Sequence, residues 1–327
     1  MDKNFEYCVV IRTLGLAGEK FRRELESLHN QTVKPKRILI YLAEGYNRPD
    51  FTVGMEVYIT VPKGLIAQRA LPYVEVDTPY MLMLDDDVFF PEGGVERLYE
   101  GLVQEHGDCI AVDAFHPHHS TWTQVFYNYL TNMVYSRPDD GWAFKVCGNG
   151  SFSYNRHPHA EVCPTESAAG TCLLWKTDVF RSIHFEDEMW LDRSGYAFGE
   201  DFLMTHKVVR NGYRLLIDYN SGILHLDAKS ARSDRHLAVE RLCKRSKCQF
   251  LQWFRMFYDA SDLTPTQRNQ NKRAWHRRVV QAYIVHLLYA IFTLNPQVLR
   301  MFLKGLKDGQ AFVQSDIYKS AHNYIVK

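Results

Sequence analysis

Tyr80-Met81-Leu82-Met83-Leu84-Asp85-Asp86-Asp87-Val88 is the stretch on which the fold turns. The apolar half reads as a buried strand, and the three carboxylates mark the point where it emerges. Three like charges at one point repel unless something cationic neutralises them. A hard divalent ion such as Mg²⁺ or Mn²⁺, itself liganded by a phosphate, suits oxygen ligands placed this way. In open α/β sheets, ligands gather outside the carboxyl ends of strands, where these aspartates would project. A metal-bound nucleotide site is one reading. A solvated strand-to-loop turn, where Asp is common, is the other.

The residues before this stretch alternate strand and helix. Tyr7-Cys8-Val9-Val10-Ile11 is a short β-rich run ending at Arg12-Thr13, and residues 19–31 carry Phe21, Leu25 and Leu28 on one helical stripe. Residues 37–42 read as a second strand ending at Ala43-Glu44, 57–61 as a third, and 64–74 as a helix leading to the aspartate strand. This spacing argues for βαβ units and a mostly parallel sheet. Downstream, 92–106 reads as an amphipathic helix and 110–112 as a strand. From 115 to 166 the periodicity fades into Tyr, Trp, His, Asn and Gly, the composition of a ligand-lining loop region. A strand at 172–175 comes next, then a helix at 200–211 stopped by Gly212. Beyond Ser230 the pattern is nearly all helix, broken at Pro265 and Pro296.

The composition is that of a globular protein, 46% apolar, 24% charged and 13% aromatic over 327 residues, enough for a sizeable core and about two domains. A net charge of +1 excludes a polyanion binder at the level of the whole chain, but residues 229–278 hold thirteen Lys/Arg against four acids. That region could face nucleic acid, anionic lipid or an anionic acceptor. Its aromatics, Phe250, Trp253, Phe254 and Phe257, recur at helical spacing, which favours core over base-stacking platforms, so no nucleic-acid partner is expected. Seven scattered cysteines without a C-x-x-C pair suit a reducing cytosol, and the first residues lack a signal-peptide core. Ala282 to Leu294 is too short for a membrane span, which needs roughly 20 apolar residues. The expectation is a cytoplasmic protein whose C-terminal helices could rest on the inner face of the membrane.

Further candidates lie apart in sequence. Gly199-Glu200-Asp201 places two acids at a helix start, either as dipole-compensating caps or as a general base, Asp201 with Glu200 beside it. His225 follows a short apolar run and is a candidate third metal ligand beside Asp85 and Asp87, or a structural histidine. Arg69, on the helix before the aspartate strand, could pair with a phosphate or with a nearby acid. Glu44 could accept from a base or ribose, or be an ordinary loop acid. The cluster His116-Pro117-His118-His119 lacks partner cysteines at zinc spacing and reads as loop polarity.

In this order and spacing the series resembles the family 2 inverting glycosyltransferases with the GT-A fold, over roughly residues 7 to 226 and more loosely to the end. The resemblance implies that Thr13 and Glu44 lie near the nucleotide base, and Arg69 near the base or diphosphate. Asp85 would contact the ribose and Asp87 the metal, with Asp86 between them. Gly170-Thr171-Cys172 would flank the sugar pocket, Asp201 would be the catalytic base, and His225 would complete the metal shell. Gly305-Leu306-Lys307-Asp308-Gly309 looks like a stretch of bacterial members that build surface polysaccharides. The chain departs from the pattern at Ala43-Glu44, where paired acids are usual, and at Gln68-Arg69-Ala70, which lacks a side-chain amide after the arginine. Gln249-Phe250-Leu251-Gln252-Trp253 lacks the arginine of the Q-x-x-R-W of processive synthases, favouring transfer of a single sugar.

The chain is accordingly expected to adopt an α/β GT-A fold, a mostly parallel central sheet flanked by helices. Its expected parts are a nucleotide-sugar-binding part over 1–114, an acceptor-binding and catalytic part over 115–228, and a helical C-terminal region over 229–327. The expected activity is metal-dependent inverting transfer of a sugar from a nucleotide diphosphate sugar, a UDP-sugar foremost, to a saccharide or lipid-linked acceptor. A nucleotidyltransferase acting on sugar phosphates and a catalytically silent sugar-binding protein are the alternatives. Both acidic patches should meet in one cleft.

Overall fold

A computed structural model describes residues 5–114, 122–130, 134–136, 141–155, 157–226 and 235–326 of the chain. The His116–His119 cluster, Lys229 and Arg232 lie outside the described residues.

The strands are β1 (Tyr7–Thr13), β2 (Ile38–Ala43), β3 (Glu56–Val61), β4 (Tyr80–Leu84), β5 (Val88–Phe89), β6 (Cys109–Val112), β7 (Val134–Ser136), β8 (Phe144–Val146), β9 (Phe152–Tyr154), β10 (Val162–Pro164), β11 (Cys172–Lys176), β12 (Leu215–Asp218) and β13 (Leu224–His225). The helices are α1 (Glu19–His29), α2 (Leu65–Arg69), α3 (Gly94–Gln104), α4 (Trp122–Leu130), α5 (Thr177–Ser182), α6 (Trp190–Arg193), α7 (Glu200–Arg210), α8 (Arg235–Phe257), α9 (Pro265–Phe292), α10 (Gln297–Phe312) and α11 (Asp316–Lys319).

Eight strands form the central sheet in the order β10-β12-β6-β11-β4-β1-β2-β3. β1, β2, β3, β4, β6 and β12 run one way, and β11 and β10 run against them. β1, β2 and β4 are buried on both faces, which is why they read as near-continuous apolar runs. The antiparallel β11 has a positional consequence: Cys172 pairs with Leu84, so the loop entering β11 lies at the edge where β4 and β1 end. The Thr171 carbonyl thereby accepts from the Asp85 amide, and the Gly170 carbonyl from Arg12.

Two expectations are corrected. The helix expected over 64–74 stops at Arg69. Pro72 biases Leu71 away from the helical region, and Tyr73 turns to a positive φ of 44°. The region 115–166 also holds more than loops: α4 and a three-stranded sheet, β7-β9-β8, whose three-residue strands are too short to give a periodic signal.

After the sheet come the long helices. Pro265 opens α9 rather than interrupting a helix: it sits at the first turn behind a Thr264/Gln267 capping box. α8 and α10 pack closely because Gly305 and Gly309 carry no side chain. A Cβ at Gly305 would run into the Cys243 carbonyl, and one at Gly309 would lie 2.8 Å from the Phe250 ring. Phe250, Trp253 and Phe257 are buried against the sheet domain, as their helical spacing suggested. No helix among the described residues is long and apolar enough to cross a membrane.

Candidate active site

The strand ends of β1 and β4, the start of α7 and the short helix α2 meet around one buried guanidinium. Arg69 is 6% exposed. Its Nε lies 3.2 Å from Glu200 Oε1, its Nη2 lies 3.1 Å from Asp85 Oδ1, and its Nη1 donates to Asp201 Oδ1. Burial disfavours its charge, but Asp201, Asp85 and Glu200 outweigh that and raise its pKa. α2 is only five residues long and is held by Asp192, whose carboxylate accepts from the Ile66 and Ala67 amides at 3.1 and 2.8 Å.

Gly170 makes the Arg69–Asp201 contact sterically allowed. A Cβ there would overlap Arg69 Nη1 and Asp201 Oδ1 and would sit 2.8 Å from Asp201 Cγ. The residue expected to flank the sugar pocket thus sits where the two acidic patches are joined.

Arg12 is a second cation, one that its sequence context does not single out. Its Nη2 donates to Asp85 Oδ1 at 2.7 Å and to the Gly170 carbonyl at 3.0 Å, and its Nε to the Leu84 carbonyl at 3.3 Å. Burial first, and Arg69 second, lower its pKa. Its Nη1 has no hydrogen-bond partner among the described residues, and Arg12 lines the cavity in front of the aspartates. The available signal was a charged residue closing an otherwise apolar strand. Glu24 was equally missed. It lies on the apolar stripe of α1, fully buried, with burial and then Asp86 holding its pKa well above the usual carboxylate range.

The remaining aspartates separate by partner. Thr13 Oγ1 donates to Asp86 Oδ2, whose pKa is raised mainly by burial. Asp87 Oδ1 lies 3.1 Å from His225 Nε2, because β13 pairs with β5 and sets His225 opposite Val88. Among the described residues, no group of three or more His, Cys, Asp or Glu side chains is arranged to hold a metal ion. Of the expected trio of Asp85, Asp87 and His225, the structure brings Asp87 and His225 into contact, while Asp85 Oδ1 meets Arg12 and Arg69. A carboxylate and an imidazole fit an ion whose other ligands are phosphate oxygens and water, the usual manner of Mg²⁺ at diphosphates. Glu44 is exposed beyond β2 and does not line the cavity.

Two cavities adjoin here. The smaller, about 530 Å³, is lined by Arg12, Thr13, Gln68, Arg69, Asp85, Asp86, Asp87 and His225. The larger, about 700 Å³, is lined by Glu200, Asp201, Phe144, Phe152, Phe198, Gln249 and Gln252 among others, and Leu65 belongs to both. Asp87 and Asp201 thus line adjoining cavities that share Leu65, and Arg69, in contact with both Asp85 and Asp201, lies between the two acidic patches. Within the Glu-Asp pair the environments diverge. The Glu200 side chain is 7% exposed and its pKa is pushed up to about 8, by burial first and Asp201 second, whereas the Asp201 side chain is 30% exposed into the larger cavity.

No protein-family model matches the chain, and no curated protein matches it. Solved structures do resemble it. S. aureus TarS 1-349 superposes with a TM-score of 0.50 at 11% identity, covering 96% of this chain and 82% of that one. The same TarS fragment in complex with UDP-GlcNAc gives 0.48 at 10%, covering 96% and 83%. GalNAc-T7 with UDP, GalNAc and Mn²⁺ gives 0.47 at 12%, covering 89% of this chain and 59% of that one. At this identity the likeness to TarS is one of architecture. With its mostly parallel sheet flanked by helices and its C-terminal helices, the chain has the GT-A fold.

Proposed function

We propose that the protein is an inverting, metal-dependent glycosyltransferase that moves one sugar from a nucleotide diphosphate sugar, a UDP-sugar, to a hydroxyl of a saccharide or lipid-linked acceptor. The observation that carries this reading is the Arg69 bridge, which ties Asp85 at the end of β4 to Asp201 at the boundary of two cavities. The smaller cavity suits the donor: Arg12 and Arg69 face a diphosphate, and Thr13 and Asp86 lie at its nucleoside side, with Glu44 beyond the rim. The larger cavity, walled by aromatic rings, suits the acceptor.

In the proposed reaction Asp201 takes the proton of an acceptor hydroxyl. The hydroxyl oxygen forms a bond to the anomeric carbon from the face opposite the leaving group. The bond from that carbon to the diphosphate oxygen breaks, and its electron pair leaves with the nucleoside diphosphate. Burial and the neighbouring Asp201 favour the protonated form of Glu200, and Asp201, the more exposed acid of the pair, is the proposed base. Arg12 and Arg69 offset negative charge growing on the leaving group. A Mn²⁺ or Mg²⁺ ion held by Asp87 and His225 would add Lewis-acid stabilisation at that diphosphate.

Lipid-linked acceptors agree with the surface of α9. Val280, Ile284, Leu288 and Ile291 form a stripe 48–59% exposed, while Trp275, Arg278, Ala282, His286 and Ala290 occupy the buried face. That stripe is proposed to rest on a membrane surface. The 1–114 part is proposed to bind the nucleotide sugar and the 115–228 part to bind the acceptor and carry the base, with the helical 229–327 region completing the wall of the larger cavity.

The direct test is thermal shift with a panel of nucleotide sugars, each with and without Mn²⁺. One donor should raise the melting temperature, more so with the metal, and Asp87→Ala should abolish the metal-dependent increment. Failure of every nucleotide sugar to stabilise the fold would refute the reading.

A further inference from the structure

The larger cavity contains a cation that the proposed reaction does not employ. Arg278 reaches into it from α9 and is 6% exposed. Its hydrogen bond runs from Nη1 to the Asn149 carbonyl at 2.9 Å, and its guanidinium lies 5.5 Å from the Trp275 ring centre. Among the described residues no carboxylate lies within ion-pair distance of it. The acids that line the same cavity are engaged elsewhere: Glu200 and Asp201 by Arg69, and Asp192 by the Ile66 and Ala67 amides. Arg245, from α8, lines the cavity as well and adds to the local positive charge. Burial first, and Arg245 second, lower the Arg278 pKa to about 10.

A buried guanidinium without a counter-charge is costly, and folded proteins usually compensate it with an acid, a carbonyl cluster or a bound anion. Here the described residues supply one carbonyl. A planar guanidinium offers paired N–H donors that match the oxygens of a phosphate or carboxylate. Asp201 opens on the same cavity, so a ligand bound to Arg278 would share its chamber with the proposed base.

We infer that the acceptor carries an oxyanion, a phosphate or a carboxylate, bound by Arg278 with Arg245 beside it. This rests on the proposed glycosyl transfer and names the chemical class of its acceptor. The oxyanion is a handle: it is neither consumed nor protonated while the neighbouring hydroxyl reacts at Asp201.

The experiment measures binding of methyl glucoside, glucose 6-phosphate and glucuronate to the protein saturated with UDP and Mn²⁺, by titration calorimetry. At least one anionic probe should bind about tenfold or more tighter than the neutral one, the scale of one charged hydrogen-bonded contact. Whichever of the two leads identifies phosphate or carboxylate as the handle. Arg278→Gln should erase the preference and Arg278→Lys should restore part of it. Equal binding of neutral and anionic probes to the wild type would overturn the inference, and this comparison holds even if Arg278→Gln does not fold. Retention of the full preference in a folded Arg278→Gln would overturn it too. Stabilisation of the fold by nucleotide sugars is followed separately, by thermal shift. A protein that a nucleotide sugar stabilises but that ignores probe charge keeps the proposed donor chemistry and loses the anionic acceptor. One that no nucleotide sugar stabilises loses the proposed reaction, and the acceptor assignment with it.

Discussion

Among single residues, the site depends on a glycine and on an unequal pair of acids. Gly170→Ala would drive a methyl group into Arg69 and Asp201. Misplacement of this kind costs about 10²-fold in turnover, and circular dichroism should show the fold intact. Glu200 carries a pH signature. Its pKa is raised from 4.5 to about 8 in the folded state, so the native form holds a proton that the unfolded chain releases. Its contribution to stability is complete below pH 4.5 and is lost as pH rises to about 8. Melting temperatures taken across that window should fall less steeply for Glu200→Gln than for the wild type, and parallel curves would contradict the assignment. Most of this site was readable in the sequence because its acids sit where periodic segments end: Asp85 to Asp87 after an apolar strand, and Glu200 and Asp201 before a helix. Arg12 was not, since a charge at a strand end reads as the beginning of a loop until the antiparallel neighbour that covers it is known. Asp192 is the helix cap of α2, more than a hundred positions away, and nothing local announces it.

Among the elements, the C-terminal helices are tied to the sheet domain through a buried charge cluster. Glu188 is fully buried and receives Arg255 at 2.8 and 2.9 Å, Lys207 at 3.4 Å and the Trp190 indole N–H at 2.8 Å. It brings α6, α7 and α8 together. Glu188→Ala would strand two buried cations, a loss of about 3–5 kcal/mol by analogy with other broken buried pairs. Chemical denaturation should register that loss, and a change below about 1 kcal/mol would show that the cluster does not hold the helices. The long elements were readable from periodicity and from Pro265, Pro296 and Gly212. The short ones were not. α2 ends early because of Pro72, and β7, β8 and β9 owe their existence to pairing with one another rather than to local pattern.

Across the whole molecule, two chambers flank one bridge, and a face of α9 shows apolar residues outward. If that face meets lipid, cosedimentation with vesicles should fall when Ile284 and Leu288 are changed to Asp; unchanged recovery would refute membrane docking. The GT-A architecture was readable from the strand and helix order, whereas the Arg69 bridge between the two acidic patches was not, since it depends on where Arg69 and Gly170 sit in space. That bridge gives the proposed function its form: the proposed base and the aspartates proposed to bind the donor line adjoining cavities. The decisive experiment is release of nucleoside diphosphate from the stabilising nucleotide sugar by the wild type and by Asp201→Asn, alongside the affinity of each for UDP. Turnover should be lowered about 10²- to 10⁴-fold with UDP affinity unchanged. Turnover by Asp201→Asn equal to that of the wild type would contradict the base assignment and the two-chamber mechanism with it.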